Sequence, residues 1–373
     1  MNQTYQRLSP GGYSNPGFNG IVKLGLIDVF EDYRIIGGFR YPLNFRNTEY
    51  MLSFENLKNR LDKKYLGTRR AYDEVIGDET RKVETYELKY NIKYPFSEVA
   101  SVRLTTGLRY DKRTVLSVDD FTLGADNLNN TFGTVKLEYV YDVSRKVMTN
   151  VLDGSRFKMW GEFMNEFTQG RTDFFTFGFD YRHYQKIHRS ISFASRVAGS
   201  TSLGSQRLVY FMGGVDNWIG AKFDQSVQIS PDENYQFQTV ATPMRGFHQN
   251  ARNGNSFFVV NNELKVPVFN YFAKNPIRSE FLNNFMIISF LDIGTAWTGL
   301  NPYDLENSFN TTIVAGKNYE VIIENQKEPI IYGFGGGLRS KLFGYYIKWD
   351  LAWGVDDGVL LKPLNHFSIA LDF

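Results

Sequence analysis

Tyr86-Glu87-Leu88-Lys89-Tyr90-Asn91-Ile92-Lys93-Tyr94 decides the fold, because apolar and polar side chains alternate along it without a break. In an extended chain, successive side chains point to opposite faces. Tyr86, Leu88, Tyr90, Ile92 and Tyr94 therefore share one face, and Glu87, Lys89, Asn91 and Lys93 the other. The same reading repeats downstream. Val102, Leu104, Leu108 and Tyr110 oppose Arg103, Thr105 and Arg109, while Val135, Leu137, Tyr139 and Tyr141 oppose Lys136 and Glu138. Phe175, Phe177, Phe179 and Tyr181 oppose Asp180 and Arg182. Tyr345, Ile347, Trp349, Leu351 and Trp353 alternate with Tyr346, Lys348, Asp350 and Ala352, and Phe367, Ile369, Leu371 and Phe373 share the last apolar face.

Further strands are read at 21–30, 33–42, 48–56, 61–71, 156–167, 190–199, 207–212, 256–269, 284–297 and 331–342. Together these predict about sixteen strands and no run with helical spacing. Many approach the ~9–11 residues that cross a bilayer at a tilt, and short turns alternate with longer loops. A soluble sandwich also alternates on one face. Strands this long and this numerous, with aromatics on one face and charges on the other, would demand a very wide core. In lipid the apolar face has a solvent, and closure leaves no unpaired edge. The expected fold is all-β: a closed antiparallel transmembrane β-barrel of about sixteen strands, apolar outside and polar within.

Composition agrees. The chain has 373 residues, enough for two soluble domains or one large closed sheet. Lys plus Arg number 42 against 40 Asp plus Glu, which argues against a nucleic-acid binder driven by bulk charge. Mean hydropathy is −0.34, and no stretch of about eighteen apolar residues is present to make a transmembrane helix. A barrel escapes that test because its lumen-facing residues dilute the hydropathy of every strand. The absence of cysteine excludes a disulfide framework and a thiolate metal site. His183, His188, His248 and His366 are scattered, so no metal and no cofactor are expected. Residues 1–19 are polar and Gly/Pro/Ser-rich without a secretory pattern. They are expected to be a linker from an N-terminal region ahead of this chain, with the barrel at 20–373.

A barrel of this size is too wide for its wall side chains to fill. The long loop that follows Gly213-Gly214 is the candidate plug. Asp292 is the lone charge in the largely apolar stretch 284–297, so it needs a partner or must give up its charge. A guanidinium offers forked donors that match a carboxylate. Arg245, within Met244-Arg245-Gly246-Phe247, is the expected partner, with Glu263 on a neighbouring strand in support.

Gly213-Gly214, Met244-Arg245-Gly246-Phe247, Asn262-Glu263-Leu264, Phe290-x-Asp292-x-Gly294 and the terminal Phe373 occur in an order and spacing that resemble the BamA-like superfamily, also called the bacterial surface antigen family. The likeness covers residues 20–373 and is clearest from Arg207 onward. It implies a sixteen-stranded barrel of the Gram-negative outer membrane, whose sixth extracellular loop carries the Arg-Gly-Phe motif into the lumen. It implies that Arg245 contacts Asp292 there, and that Phe373 belongs to a C-terminal insertion signal. It also implies insertion or translocation of proteins through a seam between first and last strands. Partners would be outer-membrane lipid, client outer-membrane or secreted proteins, and periplasmic or lipoprotein accessory subunits, with no nucleic acid. Three departures stand out: Met244 replaces the common Val, residues 215–243 look like an insertion, and no POTRA-type repeats precede the barrel.

Other readings are weaker. The glycines at 333, 335, 336 and 337 lack the Lys-Ser/Thr of a phosphate loop and suit a bending strand. No Gly-x-Ser-x-Gly elbow marks a hydrolase, so no enzyme is expected. The rivals are a passive porin-like channel, or a membrane anchor for an N-terminal soluble domain.

Overall fold

The computed structural model describes residues 5–9, 12–13, 19–42, 48–76, 79–116, 127–168, 172–230, 233–273, 275, 277–304, 307, 309–315, 319–325 and 327–369. The terminal Phe373 lies outside the described residues. β1 (Gln6–Arg7) precedes β2 (Asn19–Ile27), β3 (Tyr33–Pro42), β4 (Thr48–Asn56), β5 (Asp62–Ile76), β6 (Glu79–Pro95) and β7 (Ala100–Val115). Next come β8 (Leu128–Asp142), β9 (Arg145–Met148), β10 (Val151–Glu166), β11 (Asp173–His188) and β12 (Ile191–Gly204). β13 (Arg207–Met212), β14 (Tyr235–Ala241) and β15 (Arg252–Gly254) lead to β16 (Ser256–Val266). Helices α1 (Val268–Phe272) and α2 (Glu280–Asn283) then connect to β17 (Met286–Trp297). A hairpin of β18 (Thr311–Ala315) and β19 (Glu320–Glu324) is followed by β20 (Ile331–Leu342), β21 (Tyr345–Asp356), β22 (Val359–Leu360) and β23 (Leu364–Ile369).

Among the described residues, fourteen antiparallel ladders join β2–β8, β10–β12, β16, β17, β20, β21 and β23 in chain order into one sheet of fifteen strands. At one end the strands are joined by tight connections such as 96–99, 189–190 and 343–344; at the other lie the loops 205–255 and 298–330. With every ladder antiparallel and an odd number of strands, β2 and β23 run in the same direction, from the long-loop end to the short-turn end. Among the described residues no ladder pairs β2 with β23.

The alternation places its two sets as the pattern requires. Leu24, Leu88 and Leu108 are 75, 62 and 56% exposed on the outer face. Tyr86 is also exposed, whereas Thr85, Arg109 and Asp111 on the intervening positions are buried. The sheet wraps a lumen: a cavity of about 1510 Å³ beside the turn at 96–99 is lined from Lys23 on β2 through Lys93, Lys158 and Arg196 to Asp350 on β21.

Two of the expected strands change. Residues 207–212 form β13, which belongs to the interior and not to the wall, so the described wall has one strand fewer than expected. Leu208, Val209, Tyr210, Phe211 and Met212 are all fully buried. A strand apolar on both faces has no place between lipid and a wet lumen, and that signature separates it from the alternating strands. β13 pairs in parallel with β14 and antiparallel with β15, and β14 pairs with β1. These four strands form a sheet inside the lumen. The strand expected at 256–269 stops at Val266, because Pro267 has no N–H to donate to the ladder and the chain turns into α1.

The stretch expected to be a polar linker is packed inside at its described residues. Tyr5 donates its hydroxyl to Glu162 at 2.8 Å, and the buried Arg7 pairs with Asp111 at 3.1 Å. The Arg7 guanidinium also lies 4.8 and 4.9 Å from the ring centres of Phe132 and Phe237. Polar composition alone does not distinguish a solvated tether from a segment satisfied by a polar lumen.

Candidate functional site

The motif loop is positioned from both ends. At its start Gly214 and Met244 exchange backbone hydrogen bonds of 3.0 and 2.8 Å, which ties the glycine pair to the motif. Gly213 (φ +133°) presses against the carbonyl of His248, which a Cβ would meet at 1.9 Å. Beyond the motif, Gln249 donates its N–H to the carbonyl of Lys222, and Ala251 donates to Met212. The described residues on either side of the motif are therefore tied to one another and to β13.

Arg245 is 1% exposed and Asp292 is fully buried. Arg245 Nε donates to Asp292 Oδ2 and Nη2 to Asp292 Oδ1, both at 2.7 Å, a bidentate fork. Its backbone N–H adds a third contact to Oδ2 at 3.1 Å, and Nη1 donates to Glu263 Oε1 at 2.6 Å. The guanidinium carbon lies 3.7 Å from the centre of the Phe290 ring, where a desolvated cation gains from the ring's negative face. Glu263 is shared with Lys265 at 3.3 Å. Asp292 and Glu263 face the same lumen because β16 and β17 are paired neighbours.

The rest of the motif lies against the last strands of the wall. Gly246 adopts φ +90°, and its N–H donates to His366 Nε2 on β23 at 3.0 Å. That bond requires an imidazole with its acceptor at Nε2. A Cβ on Gly333 would sit 1.9 Å from the Arg245 carbonyl, so only glycine at that wall position lets the two backbones touch. Phe247 is buried with its ring against Gly354, and Gly294 admits the Met212 sulfur.

Several contributors escape a reading by motif. Asn261 donates to both Asp292 Oδ1 and the Pro243 carbonyl at 2.9 Å, so it ties carboxylate to loop. Arg339 and Asp350 form a second fully buried pair at 2.8 Å on β20 and β21. Arg252 pairs with Asp356 at 2.5 Å and donates to the Glu328 and Pro329 carbonyls. Asp350 lies on the polar face of an alternating strand, which marks it as lumenal but does not name its partner. Gly333 read as a bend and His366 as one of four scattered histidines, since nothing local shows what approaches them.

No protein-family model matches the sequence, and neither does any curated protein. Solved structures match the fold. The chain is similar to BamA from Haemophilus ducreyi lacking POTRA domains 1–3, with a TM-score of 0.58 at 12% identity, over 95% of this chain and 68% of that one. CdiB from Escherichia coli gives 0.54 at 11% identity, over 97% of this chain and 61% of that one. CdiB from Acinetobacter baumannii gives 0.51 at 13%, over 94% and 56%. The chain thus spans under two thirds of either CdiB. Its fold is that of these BamA and CdiB structures.

Proposed function

We propose that this chain is the membrane-embedded barrel of an outer-membrane protein that inserts or translocates other proteins, through a lateral seam between β2 and β23. The wall closes at that seam, the apolar outer face meets lipid, and the long-loop end faces outward. No covalent chemistry is involved. A client strand carries backbone groups that lipid will not satisfy, and an accessible sheet edge supplies partners for them.

The observation that carries this reading is where the Arg245 lock sits. The guanidinium is clamped by Asp292 and Glu263, while Gly246 touches His366 on β23, the strand that borders the seam. The lock therefore braces the last strands from inside. A passive channel is disfavoured by the inner sheet of β1 and β13–β15, whose Arg7 and Tyr210, with Tyr5 just ahead of β1, bond to the wall residues Asp111, Ser200 and Glu162.

The test is a set of cysteine pairs scanned between Val22, Leu24 or Leu26 on β2 and Asn365 on β23, in a chain with no cysteine of its own. Oxidative closure of the seam is expected to stop assembly of client barrels in reconstituted membranes, and reduction to restore it. Undiminished assembly with the seam fully locked refutes the lateral route.

A further inference from the structure

We propose that residues 217–219 of the lumenal loop are a built-in cap on the outer edge of β23, holding the antiparallel position that an incoming strand would take. This rests on the seam proposed above and assigns it an internal occupant.

Each residue of a strand interior has two lateral neighbours. Ser368 pairs with Lys348 of β21 on one side. Its other partner is Trp218, in an isolated antiparallel bridge, and Ile219 donates its N–H to the Phe367 carbonyl at 2.8 Å. The loop therefore lies along the side of β23 turned away from the sheet, the side that borders the seam. The bridge is antiparallel, the sense in which neighbouring strands of this wall pair.

The cap is latched by a side chain. Trp218 is 5% exposed, and its ring stacks on His248 at 5.9 Å with an interplanar angle of 8°. Its other neighbour is His366, 4.3 Å away. Gly214 makes room for it, since a Cβ there would meet the indole at 2.9 Å. Thr242 donates its hydroxyl to Asp216, one residue before the cap. The latch thus joins the cap to the loop that carries Arg245 and to β23 itself. Only three residues make the cap, so a longer strand with several ladder bonds can displace it.

The experiment uses the full-length protein in detergent. Ile219→Cys with Phe367→Cys keeps Trp218 and the Ile219 N–H, and opposed antiparallel residues lie about 4.5–5.5 Å apart between Cα atoms, within disulfide reach. The expected result is efficient oxidation in the wild-type background, at least fivefold weaker when Trp218→Ala is added and restored by Trp218→Phe. A photoreactive synthetic peptide copying residues 86–94 then probes the edge. Labelling of β23 is expected to rise at least fivefold in Trp218→Ala over wild type, and to fall to background in the oxidised cysteine pair. Heat-modifiable gel mobility checks that each variant is folded; if Trp218→Ala is not, the oxidised and reduced cysteine pair decides alone, with labelling expected only after reduction. Failure of the pair to oxidise, or equal labelling of oxidised and reduced protein, overturns the cap and leaves the seam's role in assembly standing. Loss of client assembly activity with both results intact removes that role and leaves the cap.

Discussion

Replacing Asp292 with alanine is the sharpest test of the lumenal lock. The substitution removes three of the contacts to Arg245 and the acceptor of Asn261. What remains around the site is Arg245 and Lys265 against Glu263, an excess of one buried positive charge. A guanidinium cannot relieve this by losing its proton. Breaking a buried pair from one side costs about 3–5 kcal/mol, which multiplies the undocked population of the loop by roughly a hundred- to several-thousand-fold. Hydrogen exchange reads this directly at the amides of Gly214, Met244, Gly246 and Gln249, all bonded only while the loop is docked. Their exchange is expected to accelerate by that factor while the β6 and β7 ladder is unchanged. Arg245→Met should cost less, because the stranded carboxylates can take up protons. The double variant should be milder than Asp292→Ala alone, since Glu263 and Lys265 then balance. Changes of under threefold, or a double variant worse than both single ones, refute the reasoning.

Gly333→Ala should expel the loop as Asp292→Ala does, although no charge changes, because its methyl would overlap the Arg245 carbonyl; wild-type protection in that variant counts against the close approach. Deleting residues 1–13 removes the Arg7–Asp111 and Tyr5–Glu162 contacts and is expected to raise ion conductance in planar bilayers severalfold, with Arg7→Ala in between; unchanged conductance means that β1 does not obstruct the lumen. Burial and the neighbouring Lys222 depress His248 below its ordinary 6.5, with Asp224 opposing. The docked loop then binds fewer protons than the free loop, so docking is complete above about pH 6.5 and weakens as the pH falls below it. His248→Phe keeps the stack on Trp218 and should flatten that dependence in exchange measurements; an unaltered slope rules His248 out. Leu88→Lys places a charge on the lipid face and should cost about 2–4 kcal/mol if it sits at mid-membrane. Urea titration of refolding into vesicles measures this, and a cost near zero would count against lipid at that face.

How much of this was legible in the sequence depended on whether a residue's partner is local. The wall strands were, because side-chain period and burial are properties of a short segment, as in Tyr86 to Tyr94. Their limits were less so: β5 continues to Ile76, past the expected end at 71, because ladder bonds with β6 hold the backbone whatever the side chains are. β13 reads as wall because its length resembles a strand of the wall, although its unbroken apolar run points inward. Arg245 and Asp292 could be matched because each is anomalous where it stands, a cation between glycine and methionine and a lone acid in an apolar strand. Trp218, Asn261 and His366 are unremarkable in their neighbourhoods, and only the folded loop brings them to the site. Tyr5 and Arg7 were the hardest, since their partners Glu162 and Asp111 lie more than a hundred residues away.

The bare backbone at Gly333 lets the Arg245 carbonyl rest against the wall, so the seating depth of the loop is set by a residue that carries no side chain at all. The grip on the loop can be tuned through the carboxylates that hold its guanidinium, whereas that one position cannot change without moving the loop itself.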